Sequence, residues 1–330
     1  MEALQITRHG DSVMPTLSLV TCPVPKVRPG FALVRIRFAG VQPSDRLNAR
    51  GGFPKTTFPR TPGRDYSGEV VEVDKSSGLD TWVGKHIYGT SNSELGFTVD
   101  GTHAEFCLIP ESVLVEKPAQ LSLSQAAAIG VPYTTALRCL TRARAGPEDT
   151  VLVLGASGAV GSAAVKIARV LGCKRVLVAS RKRQDSPDVL LPGPDSSVAL
   201  QEQIQALTQG RGVSVVVDTV GSIALMSEAL EQLAVRGRYV WIAAPRDGSS
   251  AMLQFDIFQA YRKEAEFIGC NSGIKSNEEL KEEMLTISSM FGTKQLKAPG
   301  DGDIERVSLK DSVKKGYGAR GLKRHVVIKM

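Results

Sequence analysis

Gly155, Gly158 and Gly161, followed about 20 residues later by Ser180, Arg181, Lys182 and Arg183, form the arrangement in this chain best suited to chemistry on a bound ligand. Gly155 permits the chain to leave a strand in a tight turn, Gly158 lets backbone amides approach a pyrophosphate, and Gly161 lets the next helix pack closely. Ser157, Ala159 and Val160 fill out the turn, and the free amides and positive dipole end of the helix point at the phosphates. At the end of the second strand an NAD site carries Asp or Glu for the ribose 2′-hydroxyl; here Ser180, Arg181 and Lys182 occupy that place. Cations and a hydroxyl donor suit a 2′-phosphate that a carboxylate would repel, so the expected cofactor is NADPH. The same charge run also fits a solvated surface turn.

The elements that position this turn are legible around it. Val151–Leu154 is an apolar run without alternation, as in a strand buried on both faces. Val160, Ala164, Ile167 and Leu171 recur at helical spacing, and Val176–Ala179 is a second buried strand. Val213–Val217, closed by Asp218-Thr-Val-Gly221, and Gly237–Ala243 continue the pattern, with helices such as Ala224–Leu233 between strands, which makes a parallel sheet. Before residue 120 the pattern differs, with short alternating strands at Ala32–Phe38, Ser67–Val73 and His103–Ile109 punctuated by Pro and Gly. After about 272 come a charged helix, Asn277–Met290, and a last strand, Arg324–Lys329, expected to close back on the N-terminal domain. Between Ser180 and the helix near Gln201–Leu207, Pro187, Pro192, Gly193 and Pro194 break the crossover, which puts the adenine-side wall in question.

The 330 residues suffice for two domains. No apolar stretch reaches the length of a membrane span and no targeting segment is evident, so a cytoplasmic protein is expected. The net charge of +7 is dispersed and aromatic content is only 5%, which argues against a base-stacking platform; a polyanionic cofactor and a small-molecule substrate account for it, and nucleic acid is not expected. Five widely spaced cysteines form neither a disulfide framework nor a metal knuckle.

Gly40-Val-Gln-Pro-Ser-Asp45, Pro62–Val70, Asp100–Phe106, Ala126–Pro132, the glycine turn, Asp218–Gly221, and Tyr261–Lys263 leading to Ile268–Ser272 together resemble the medium-chain dehydrogenase/reductase superfamily. Within it, the zinc-independent quinone oxidoreductase-like and enoyl reductase branch is the most similar. The resemblance implies an α/β fold: a Rossmann doubly wound parallel sheet at 121–271, and a β-rich GroES-like substrate domain built from 1–120 with 272–330. It also implies that the places of the catalytic zinc ligands fall on Gln42, Arg64 and Val131. An amide, a guanidinium and an isopropyl group do not replace thiolate and imidazole, and His9, His86, His103 and His325 have no ligand spacing, so no metal is expected.

Without a Lewis acid, alcohol oxidation is not expected, and the resemblance to the zinc-independent branch implies NADPH-dependent reduction of a quinone or of the C=C of an α,β-unsaturated carbonyl. The resemblance places Gln42 and Arg64 as orienting groups and Ser44 at a relay position. Tyr66 and Tyr133 flank motifs that face the nicotinamide, and Thr135, Val220 and Asn271 border the cofactor. Leu47 and Phe53 stand where many relatives carry a phenolic proton donor, and solvent is then the source of the proton. A salt bridge of Arg64 with Asp65 or another carboxylate, and packed core positions for the two tyrosines, are the alternative structural roles. Two other functions remain open: a trans-acting enoyl-thioester reductase, and a catalytically weak, crystallin-like protein binding NADPH or RNA. Relatives are often dimers, so a homodimer is expected.

Overall fold

The computed structural model describes residues 1–8, 10, 14–180, 189–190, 199–245, 248–318 and 324–330. The chain divides into two compact units, Met1–Thr134 with Ser272–Met330, and Thr135–Asn271. Strands in chain order are β1 (Glu2–Thr7), β2 (Thr16–Thr21), β3 (Phe31–Gly40), β4 (Asp65–Val73), β5 (His86–Gly89), β6 (Phe106–Pro110), β7 (Thr150–Leu154), β8 (Arg175–Ala179), β9 (Val189–Leu190), β10 (Val213–Asp218), β11 (Leu233–Trp241), β12 (Glu266–Gly269), β13 (Ile304–Ser308) and β14 (His325–Lys329). The α-helices are α1 (Pro43–Asn48), α2 (Leu123–Ala126), α3 (Gly130–Arg142), α4 (Ala159–Val170), α5 (Leu200–Thr208), α6 (Ile223–Glu231), α7 (Ile257–Arg262) and α8 (Asn277–Gly292).

In the first unit, β13, β14, β3, β4 and β5 lie side by side and β6 joins β3, while β1 and β2 form a separate hairpin. β3 pairs antiparallel with both β4 and β14, so the C-terminal strand closes on the N-terminal part of the same unit. The inward residues of the strands, among them Val34, Ile36, Val70, Ile87 and Ile109, form the core, as their alternation requires.

The second unit is a sheet in the order β12-β11-β10-β7-β8-β9, with every pairing parallel. The chain begins at β7 in the middle of the sheet and winds out to both edges, the doubly wound arrangement. Val151–Leu154 of β7 are fully buried, as an unalternating apolar strand between two neighbours must be. On α4 the small residues Ala163, Ala164 and Ala168 are buried with Ile167. The crossover residues 181–188 and 191–198, including Arg181 and Lys182, lie outside the described residues.

The helical run from Leu123 is not continuous: α2 stops at Ala126 and α3 starts at Gly130. The break has a use, because the Val131 amide in the first turn of α3 donates to Asp65 Oδ1 at 2.9 Å. A Cβ at Gly130 would stand 2.3 Å from that same oxygen, so the approach needs glycine.

Candidate active site and cofactor turn

In the first unit the site grows from the short helix α1. Pro43 opens the helix, and the Gln42 amide before it donates to Asp45 Oδ2 at 2.7 Å, closing the first turn. Asp45 thereby points its other oxygen at Arg64, whose Nε lies 3.7 Å away, and both side chains are buried, 2% and 5% exposed. The Arg64 Nη2 donates to Ser44 Oγ, and the guanidinium lies over the Phe97 ring, 5.5 Å from its centroid. The Arg64 partner is therefore Asp45, one helical turn into α1, rather than its chain neighbour Asp65. Arg64 Nε itself has no hydrogen-bond acceptor.

Asp65 begins β4 and is wholly buried. Its Oδ2 accepts from Gln42 Nε2 at 2.7 Å and its Oδ1 from the Val131 amide, where the start of a helix favours an anion. Burial is the stronger influence and pushes its pKa up from 3.8 to about 6, against the opposing pull of Arg64. Gln42, Ser44, Arg64 and Val131 thus converge with two carboxylates, Asp45 and Asp65, around one guanidinium.

Behind them stands His103, also wholly buried, with Nε2 3.0 Å from Gly40 O and Nδ1 2.7 Å from the Tyr317 hydroxyl. A carbonyl only accepts, so Nε2 carries the proton and Nδ1 accepts from Tyr317. Burial lowers the His103 pKa, which keeps the ring neutral, and raises that of Tyr317. Gly63, at φ +100°, passes so close that a Cβ there would come within 2.3 Å of the imidazole. Asn48 fastens the following loops, donating to Gly96 O at 2.7 Å and accepting from Thr56 Oγ1 at 2.5 Å.

Both candidate tyrosines belong to packed interior. Tyr66 is wholly buried in the sheet core, its hydroxyl has no hydrogen-bond partner, and a Cβ at Gly89 would touch it at 2.9 Å. Tyr133 is 1% exposed with its ring 5.7 Å from Phe291. Burial pushes both phenols far up, the wrong direction for ready proton donation.

In the second unit the turn between β7 and α4 is built from backbone. Gly155 has φ +77° and faces Thr219 and Val220; Gly158 caps α4; a Cβ at Gly161 would stand 2.3 Å from Gly155 O. Only glycine permits that last approach. The amides of Ala159, Val160 and Gly161, in the first turn, have no acceptor within their helix. Ser157 and Ser180 flank the turn, half-buried and buried respectively. Asp218 Oδ1 accepts from the amides of Val220 at 2.7 Å and Gly221 at 3.1 Å, which shapes the neighbouring loop and leaves Val220 45% exposed. Thr135 carries a buried hydroxyl with no partner, a group suited to a ligand oxygen, and Asn271 is exposed at the end of the unit.

The sequence offered Asp65 only as an alternative partner of Arg64 and His103 only as a histidine without ligand spacing, and it did not single out Asp45, although all three stand within the recognised motifs. Tyr317, 214 residues from His103, left no sequence signal.

Residues 28–119 match the alcohol dehydrogenase GroES-like domain, and residues 159–289 match the zinc-binding dehydrogenase family. A zinc-type alcohol dehydrogenase-like protein of Schizosaccharomyces pombe is 43% identical over 272 residues, 82% of this chain and 79% of that protein. Human quinone oxidoreductase is 28% identical over 86% of this chain and 83% of its own. A Pseudomonas syringae quinone oxidoreductase structure superposes with a TM-score of 0.81 at 21% identity, covering 100% of this chain and 99% of that one. Both domains match in the expected order along a chain with these relatives, and the protein therefore belongs to the medium-chain dehydrogenase/reductase superfamily, oxidoreductases that use a nicotinamide cofactor.

Proposed function

We propose that the protein is a zinc-free, NADPH-dependent reductase of quinones or of the C=C of α,β-unsaturated carbonyl compounds. The single observation that carries this reading is the Arg64 guanidinium, buried and held by Asp45 and Ser44 at a place where zinc-dependent members carry a metal ligand. The residues present do not fit zinc. Gln42 spends its amide on Asp65, Val131 offers only a backbone N–H, and among the described residues no three His, Cys, Asp or Glu side chains gather as a metal site.

The glycine turn, with Thr135, Ser157, Ser180 and the exposed Val220, fits a dinucleotide, and Arg181 and Lys182 are the proposed partners of a 2′-phosphate. NADPH, when bound, supplies the hydride. The acceptor takes it at its electrophilic carbon, and negative charge moves to the carbonyl oxygen. Arg64 stabilises that oxyanion. Ser44, whose oxygen already accepts from Arg64, retains its hydroxyl hydrogen to donate to the same atom. Gln42, fixed by Asp65, orients the acceptor. The enolate or quinol anion takes its proton from water, because Leu47 and Phe53 carry no phenol and Tyr66 is enclosed.

A homodimer belongs to the same proposal. It is supported by β12 at the sheet edge, which carries the exposed Phe267, and by the exposed Phe258 and Tyr261 of α7; light scattering showing a monomer would oppose it. The decisive test follows NADPH absorbance with a panel of quinones, enones and enoyl thioesters, alongside fluorescence titration with NADPH and NADH. Turnover of the first two classes and tighter binding of NADPH are expected. Equal affinities would remove the cofactor assignment, no turnover with any acceptor would favour a binding protein, and stoichiometric zinc would overturn the metal-free reading.

A further inference from the structure

The second unit holds an open cavity on one face of its sheet, lined by none of the residues of the glycine turn. Tyr239 and Trp241, two residues apart on β11, point to that face, and Phe267 of β12 stands in register beside Tyr239. Gly269, in register with Trp241, adds no side chain to the row, which leaves the space unfilled. Ile223, Met226 and Leu230 recur at helical spacing on α6 and form one wall; Leu253 and Phe255 form the other. The space between them is about 240 Å³.

Its chemistry is almost wholly apolar. Among the lining side chains only Tyr239 and Trp241 carry a polar atom, and the Tyr239 hydroxyl already donates to Asp218 Oδ2 at 3.0 Å. An ordered water needs about two to four polar partners, so water is poorly held there and an apolar molecule gains by displacing it. The walls are set before any ligand arrives. Met226 and Tyr239 are 7% and 1% exposed, and Phe255 meets Phe267 edge-on with ring centroids 4.9 Å apart. Little ordering entropy is then lost on binding.

Size narrows the occupant. A dry apolar cavity of about 150 Å³ accepts one benzene, so this one has room for a bicyclic arene. A helix of a partner protein, about 10 Å across, is too wide to enter, and a macromolecule could reach in only with a single side chain. We propose that this cavity is a binding site for a neutral, apolar compound of one or two rings. The proposal rests on the second unit alone and stands or falls independently of the reduction reading above.

The test titrates the full-length protein with 1-fluoronaphthalene by fluorine NMR and displaces the probe with naphthalene or with 1-naphthalenesulfonate. Saturable one-to-one binding is expected, with the sulfonate at least about tenfold weaker than naphthalene, because the cavity offers its charge no partner. Ala251→Phe and Leu230→Trp fill the space from two sides, and each should weaken binding by at least about tenfold. Ala251 is exposed at the rim, so the Ala251→Phe protein should melt close to the wild type. No saturable binding up to the solubility of the probe, equal displacement by the sulfonate, or unchanged affinity in a filled variant that melts like the wild type would overturn the proposal. An affinity that falls as the protein is concentrated into a dimer would give the cavity to a side chain of a second copy, and would overturn it as well.

Discussion

The glycine turn of the second unit and the Arg64 cluster of the first present opposite solutions to holding a charged group. At the turn the atoms proposed to face a ligand are backbone amides, and the side chains that matter are the ones removed, at Gly155 and Gly161. In the cluster the proposed ones are the long polar side chains of Arg64 and Gln42, held by Asp45 and Asp65 within a buried network. Backbone positions tolerate almost no added volume, whereas a side-chain network fails through unpaired charge. The two regions should therefore break differently.

Gly161→Val should have the largest effect. Its Cβ has no room beside Gly155 O, so α4 must move from the sheet; dinucleotide affinity should fall by more than about 100-fold and stability by about 3 kcal/mol. Calorimetric titration and thermal melts would read this, and near-normal affinity would refute the close approach. Arg64→Leu should lower kcat/KM by about 100-fold, as loss of an oxyanion donor does, and destabilise the fold by leaving Asp45 buried without its cation. Arg64→Lys should recover more of the stability than of the rate, since an ammonium restores charge without the fork. Were both variants as active as wild type, the electrophile would have to be sought elsewhere.

Asp65 offers a comparison by pH. Its pKa is raised in the fold, so the protonated form is favoured there and its contribution to stability is greatest below pH 4 and is lost as pH rises through about 6. Relative to Asp65→Asn, the wild type should lose about 3 kcal/mol of unfolding free energy between about pH 3 and pH 8, measured by urea titration. Parallel curves for the two proteins would contradict the burial argument. The smallest effect is expected at His103. Replacing it with Leu leaves Gly40 O and the Tyr317 hydroxyl unpaired and should cost about 2 kcal/mol, with a smaller change in rate than Arg64→Leu produces.

Much of the second unit was legible in the sequence because each signal is local. Apolar β7, the three glycines and the small-residue face of α4 each impose their geometry within a few residues, and the parallel sheet follows from repeating such units. The proposed lack of zinc donors at Gln42, Arg64 and Val131 rests on residue chemistry that the sequence displays directly. Tyr66 and Tyr133 were less readable. A tyrosine beside a functional motif has the same sequence appearance whether it faces a ligand or fills a core, and here both are buried.

The sequence by itself determined the order of the two units, the glycine turn and the residue types at Gln42, Arg64 and Val131, because backbone sterics and side-chain chemistry act at the position where the residue stands. Only the tertiary structure decided which carboxylate neutralises Arg64, that Asp65 is buried with Gln42 and the first turn of α3, and that His103 meets Tyr317. Those partners lie up to 214 residues apart, and burial and Coulomb interaction depend on distance in space rather than along the chain.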